Sequence, residues 1–302
     1  MSTAHEFTAE LFIHLDCELG EGPRWDPTDQ SLLFVDVLAG RLYRARTSDS
    51  AGSGAPFVTR VNTGQPLGAA NLRAEGGLIL AMRDGIYLAE QDATEPSPFA
   101  AIELDIVTNR MNDAACDPQG RLWAGTMSFE AEADAGTLYR IDPDGTVTAV
   151  LRDLTISNGL GWSPAGDLMY FIDSPTRRID VFDFNAEQGS VRRRRTFIDL
   201  SQVPGVPDGM TIDTDGGLWV AFWGGAQVRR FGPDAVLTDI VHLPVPQPTS
   251  CTFGGTDGKD LYITSARIGL SQSDLADSPL SGSVFVARPG HRGLPAFSFG
   301  SR

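Results

Sequence analysis

The sequence predicts an all-β protein, a six-bladed β-propeller. Three observations point there. A turn rich in Asp, Pro and Gly, then an apolar strand, then a second strand, recurs with a period of roughly 43–50 residues, the spacing of propeller blades and too long for most helical repeats. Several of the second strands, GRLYRAR and RRIDVFDF among them, alternate apolar with polar residues as half-buried strands do. The 302 residues include 33 Gly and 19 Pro, a turn-rich composition that favours many short strands over long helices.

In chain order the units open with DPTDQSLLFVD from Asp26, AEGGLILAM from Ala74, DPQGRLWAGT from Asp117, SPAGDLMYFID from Ser163, DTDGGLWVAFW from Asp213 and TDGKDLYITS from Thr256. Each unit has room for about four strands, and stacking such sheets around an axis buries both faces of every blade. A length of 302 residues would suit two domains. No break in composition interrupts the repeats, so residues 1–302 are expected to form one domain, with a short N-terminal extension of about ten residues. Amphipathic helices are absent from the pattern; AEADAG and SQSDLADS each have room for a short helical turn.

Composition narrows the function classes. Hydrophobic residues make up 41% of the chain and charged residues 21%, which excludes wholesale disorder. The 24 basic and 39 acidic residues leave a net charge of −15, which argues against nucleic acid or an anionic membrane as partner. No segment approaches the ~20 apolar residues of a membrane span, and the first residues lack a secretory pattern. Cys17, Cys116 and Cys251 are odd in number and form no CxxC, so buried, reduced thiols and a cytoplasmic location are expected. His5, His14, His242 and His291 form no HxH or HxxxH pair, against a histidine zinc site. No GxSxG supports a serine hydrolase. The Arg192–Arg195 run reads as a solvated strand edge with local ion pairs.

The turns also locate a site. About five residues before each turn stand Glu21, Asn112, Asn158 and Asp208 in repeats one, three, four and five, and Gly68 and Cys251 in repeats two and six. Equivalent positions of different blades lie on a ring about the axis. Four oxygen-bearing side chains therefore converge, although each alone would read as a turn or backbone partner. Glycine follows three of them, as Glu21-Gly22, Asn158-Gly159 and Asp208-Gly209, which permits close backbone approach. Two carboxylates and two amides in a confined channel call for a compensating cation or a proton. Oxygen donors suit one divalent ion, with Ca²⁺, Mg²⁺, Mn²⁺, Zn²⁺ and Fe²⁺ all open.

These segments carry a family signature. LGEGPRWD (19–26), NRMNDAACDPQGRLWAGTM (109–127), ISNGLGWSPAGDLMYFID (156–173), VPDGMTIDTDGGLWVAFWGG (206–225) and PTSCTFGGTDGKDLYITSAR (248–267) closely resemble the SMP-30/gluconolactonase/luciferin-regenerating-enzyme family. The resemblance implies a six-bladed propeller with a divalent metal in its channel, and hydrolysis of aldonolactones. It places the metal ligands on Glu21, Asn158 and Asp208. Substrate binding falls on Arg110 and Asn112, with a further contact on Glu130 after the GTM motif.

The expected reaction is metal-assisted opening of a sugar lactone to its aldonic acid, with a small-molecule lactone as partner. Three protein ligands leave positions open for water and substrate, and Asp208 is the candidate general base. Two other readings stay open: a related phosphotriester or ester hydrolase, and a Ca²⁺-responsive regulator without turnover.

Overall fold

The computed structural model describes residues 4–46, 57–91 and 94–301. Six sheets surround a central axis. Blade 1 holds Gly20–Asp26, Ser31–Asp36, Arg41–Arg46 and Phe57–Asn62, and blade 2 holds Leu67–Leu72, Leu78–Met82, Gly85–Ala89 and Ser97–Ala101. Blade 3 comprises Asn109–Cys116, Leu122–Ser128, Gly136–Ile141 and Val147–Leu154; blade 4 comprises Ser157–Trp162, Leu168–Asp173, Arg178–Asn185 and Ser190–Asp199. Blade 5 runs Val206–Ile212, Leu218–Trp223, Gln227–Phe231 and Leu237–His242, and blade 6 runs Pro248–Gly254, Asp260–Ser265 and Val284–Ala287. The first strand of each blade packs against the first strand of the next, and that of blade 6 returns to blade 1. The expected six-bladed propeller is the observed fold.

The apolar core lies between the blades. Six clusters fill the six interfaces. Successive residues of a second strand serve opposite sides: Leu218, Val220 and Phe222 pack toward blade 4, while Trp219 and Ala221 pack toward blade 6. Double-sided burial is why these strands read as continuous apolar runs. The turns have their own chemistry. The Trp123 indole N–H donates to Asp117 Oδ2 at 3.1 Å, and the Trp219 indole donates to Asp213 Oδ2 at 2.9 Å. The turn aspartates thus anchor the tryptophan six residues on and take no part in the ring.

The two ends of the chain depart from the expected reading. Residues 1–10 were expected as an extension, yet His5–Thr8 forms a fifth strand on blade 5, parallel to Leu237–His242. Glu10–Ile13 supplies the outer strand of blade 6, antiparallel to Val284–Ala287. An open ring would leave the VFVA strand with an unpaired edge, and pairing it with the start of the chain removes that edge. Beyond Ala287 the chain crosses the turn end of the channel: Leu294 N–H donates to the Ile212 carbonyl (3.0 Å), Phe299 N–H to that of Leu72 (2.8 Å) and Gly300 N–H to that of Gly120 (2.9 Å). One of the two short helical turns forms: Gln272–Asp277 is helical, with a Ser271–Asp274 capping box. AEADAG instead turns through left-handed backbone at Ala131 and Asp134.

Closure at blade 6 predicts an asymmetry between two truncations. Removing residues 1–8 should leave a folded protein with a modestly lowered Tm. Removing residues 1–13 bares the edge of Val284–Ala287 and should yield aggregation or loss of the cooperative transition, read by scanning calorimetry and light scattering. Equal Tm values for the two truncations would contradict the closure role.

Candidate functional site

All six first strands carry a register shift at the same place, between Glu21 and Arg24, Leu67 and Ala69, Met111 and Ala114, Ser157 and Leu160, Pro207 and Met210, and Pro248 and Cys251. Such bulges bend a strand and re-aim its side chains. The strands crowd here. A Cβ on Gly159 would lie 2.7 Å from the Asp208 carbonyl oxygen, and one on Gly209 would collide with the Ser250 side chain. Glycine after Asn158 and after Asp208 is therefore a packing requirement, whereas Gly22 is needed for its left-handed backbone (φ 53°).

The ring residues meet at the end of the channel opposite the turns. Glu21, Arg110, Asn112, Asn158 and Asp208 are each 5–9% exposed, buried yet reachable. Arg110 Nη1 donates to Asn112 Oδ1 (2.7 Å) and to the Met111 carbonyl oxygen (3.0 Å). Asn112 Nδ2 donates to Asn158 Oδ1 (2.8 Å) and to the Ser157 carbonyl (2.9 Å). Asn158 Nδ2 donates to Ser174 Oγ (2.8 Å), so its oxygen is the atom turned to the ring. In blade 6, Gly254 pairs with Asp260 as Cys116 pairs with Leu122, and counting back from each pair reaches Ser250 and Asn112. Ser250, rather than the expected Cys251, is thus the sixth ring residue, and the same count from the Asp26–Ser31 pair reaches Gly22 in blade 1, so Glu21 stands one residue before the ring position. Cys251 is fully buried between blades 5 and 6, its thiol donating to the Trp219 carbonyl at 3.4 Å.

The electrostatics follow from burial. Desolvation and then the Asp113 carboxylate push Glu21 up to about 8, against the Gly22 N–H, Arg110 and Arg24. Asp208 is held well above the usual carboxylate range by burial, then Glu21 and Asp113; the Gly209 N–H and Arg110 oppose this. Burial pushes Arg110 down to about 10 while Glu21 and Asp208 hold its charge. Carboxylates that resist ionising together, with an amide oxygen beside them, match the donor chemistry of a hard divalent cation. Glu21, Asn158 and Asp208 would hold it. Among the described residues no three His, Cys, Asp or Glu side chains group at metal spacing, so the amide oxygen is needed to complete the set.

Glu130 stands apart. It is exposed on the loop after Leu122–Ser128, its backbone N–H donating to Ser128 Oγ at 3.1 Å. Among the described residues no hydrogen bond or ion pair joins its side chain to the other five. Sequence reasoning missed Asp113 and Arg24. Strict alternation turns Asp113 away from Asn112, but the bulge brings it close enough to act on both Glu21 and Asp208.

The sequence model of the SMP-30/Gluconolactonase/LRE-like region matches residues 19–267. The chain belongs to this family. Among SMP-30/gluconolactonase relatives, regucalcin of Oryctolagus cuniculus is 35% identical over 297 residues, covering 96% of this chain and 97% of its own. A calcium-binding regucalcin from Agrobacterium tumefaciens superposes with a TM-score of 0.91 at 28% identity, covering 99% of each chain. A luciferin-regenerating enzyme superposes with a TM-score of 0.86 at 32% identity, covering 94% of this chain and 96% of its own.

Glu21 supplies a pH test in chelator-treated protein. Its unfolded form ionises near 4.5, whereas in the fold it keeps its proton up to about 8. The fold binds the extra proton in that window, so stability contributed by Glu21 is full below the lower value and is lost as pH rises through the upper one. Glu21→Gln should flatten the fall in Tm across the window and raise Tm at its alkaline end. An unchanged Tm profile would refute the buried protonated carboxyl.

Proposed function

We propose that this protein is a metal-dependent lactonase that opens a sugar lactone of the gluconolactone or xylonolactone type to its aldonic acid. One observation carries the reading: Asn158 and Asp208 occupy the equivalent bulge position of blades 4 and 5, Glu21 stands one residue before that position in blade 1 and acts on Asp208, and Arg110 and Asn112 are hydrogen-bonded beside them. A bound divalent ion would supply Lewis-acid polarisation of the lactone carbonyl and charge for the developing oxyanion.

The chain's own groups do the rest. Asp208 accepts the proton of the attacking water; burial and the neighbouring Glu21 raise its basicity toward that of a working general base. Arg110 has two donor directions. Nη1 is spent on Asn112 and Met111, while Nε is buried with no partner among the described residues. A substrate oxygen would satisfy it, and an unpaired buried donor is otherwise costly. Asn112 and Ser174 fix the Asn158 amide. With the C-terminal segment across the turn end, substrate enters from the opposite mouth, where Glu130 lies on the rim.

The test is acid release from D-glucono-δ-lactone and D-xylonolactone, before and after chelation and after reloading with Ca²⁺, Mg²⁺, Mn²⁺, Zn²⁺ or Fe²⁺. Turnover should vanish on stripping and return with at least one ion. Asp208→Asn should lower kcat about 10²–10⁴-fold, the range for a lost general base. Unchanged turnover in a folded Asp208→Asn protein overturns the mechanism. Ca²⁺ binding without hydrolysis under any ion would replace it with an ion-binding role.

A further inference from the structure

We infer that Arg24 is a positioning residue that sets the net charge of the metal site by countering Asp113, which none of the expected ligand or substrate positions includes. This rests on the metal-site reading above. Arg24 lies on the same inner strand as Glu21, past the bulge, with its side chain 13% exposed. Its guanidinium stands 3.8 Å from Asp113. It reaches across two blades: Nε donates to Asn71 Oδ1 (3.1 Å) and Nη2 to the Ala114 carbonyl (2.8 Å), which Asn71 Nδ2 also approaches at 3.2 Å. The inner strands of blades 1, 2 and 3 are thus tied at the residue that follows the Asn112–Asp113 bulge. Below the guanidinium is a cavity of about 80 Å³, lined also by Trp162, Thr211, Thr252 and Phe297.

Three buried carboxylates, Glu21, Asp113 and Asp208, therefore face two guanidiniums, Arg24 and Arg110. Counted as ionised, the form in which carboxylates hold a cation, these five groups sum to one net negative charge before the ion's own charge is added. Loaded with a divalent ion the cluster carries one net positive charge, the sign that suits an oxyanion or an aldonate product. Arg24 is what prevents the loaded cluster from becoming neutral. The same charge must weaken cation binding, because like charges repel through the protein interior.

Isothermal titration with Ca²⁺, and separately Mn²⁺, on metal-stripped protein separates this from a merely structural role. Arg24→Met should tighten ion binding about tenfold, and Asp113→Asn should weaken it by about the same factor, the order of one nearby unit charge. The double variant should return to within about twofold of the wild type, since the two lost charges cancel. Arg24→Lys keeps the charge but loses the fork, and its affinity should stay near wild type. Arg24→Gln, a second neutral variant that keeps a donor for the Ala114 carbonyl, should tighten binding as Met does if Met impairs folding. Weaker binding in both single variants, or unchanged binding in Arg24→Met or Arg24→Gln, overturns the proposal. A wild-type protein that binds neither ion sinks the metal-site reading itself.

Discussion

The structure depends on how closely six strands can approach a common axis. Each blade sends its first strand inward, and at the narrowest level the backbones pass within reach of one another. The strands answer in two ways. Every one carries a bulge, and glycine follows Glu21, Asn158 and Asp208, two of these glycines lying against the neighbouring strand. Crowding of backbone turns the ring side chains toward the axis. The outer parts of the blades do the opposite, filling six interfaces with Trp, Phe, Leu and Ile. Stability and chemistry are thus separated by radius, with apolar packing between the blades and polar groups on the axis.

That separation explains what was legible beforehand. The repeat showed because each blade reuses one turn and one doubly buried strand, and both leave a strong residue pattern. The ring showed because a fixed offset from each turn selects one position per blade; Asn112, Asn158 and Asp208 hold equivalent positions, while Glu21 stands one residue before its blade's equivalent, Gly22. Features that depend on breaking the local pattern were hidden. Asp113 follows Asn112 and should face away, and only the bulge brings it to bear on the carboxylates. Arg24 reads as one more strand residue in GEGPRWD, and its partners Asn71 and Ala114 belong to other blades. In the sixth repeat a miscount of one residue exchanged Ser250 for Cys251, because no strong turn signature fixed the frame.

The ends of the chain were hidden for a different reason. HEFT and ELFI are short, and nothing within them names a distant partner. Their places as outer strands of blades 5 and 6 follow from the edges those blades would otherwise expose. The C-terminal crossing is also non-local, a loop with little pattern of its own that is held by backbone hydrogen bonds from three blades. Membership of the SMP-30/gluconolactonase family accords with the ring and the blades.

Closing the ring with the first strand has a kinetic consequence. Leu15 N–H donates to Ser283 Oγ across 268 residues of sequence, so the seam of the molecule joins its earliest and latest segments. Contacts of such high sequence separation form slowly, since the loop entropy must be lost before they reward it. During synthesis the segment that leads into Glu21 must wait, unpaired, until Ser283 and the Val284–Ala287 strand have emerged. The blades can gather in order, but the axis is completed last, and with it the Glu21 side of the site. An incompletely synthesised chain would therefore hold most of the propeller's apolar packing and none of its finished centre.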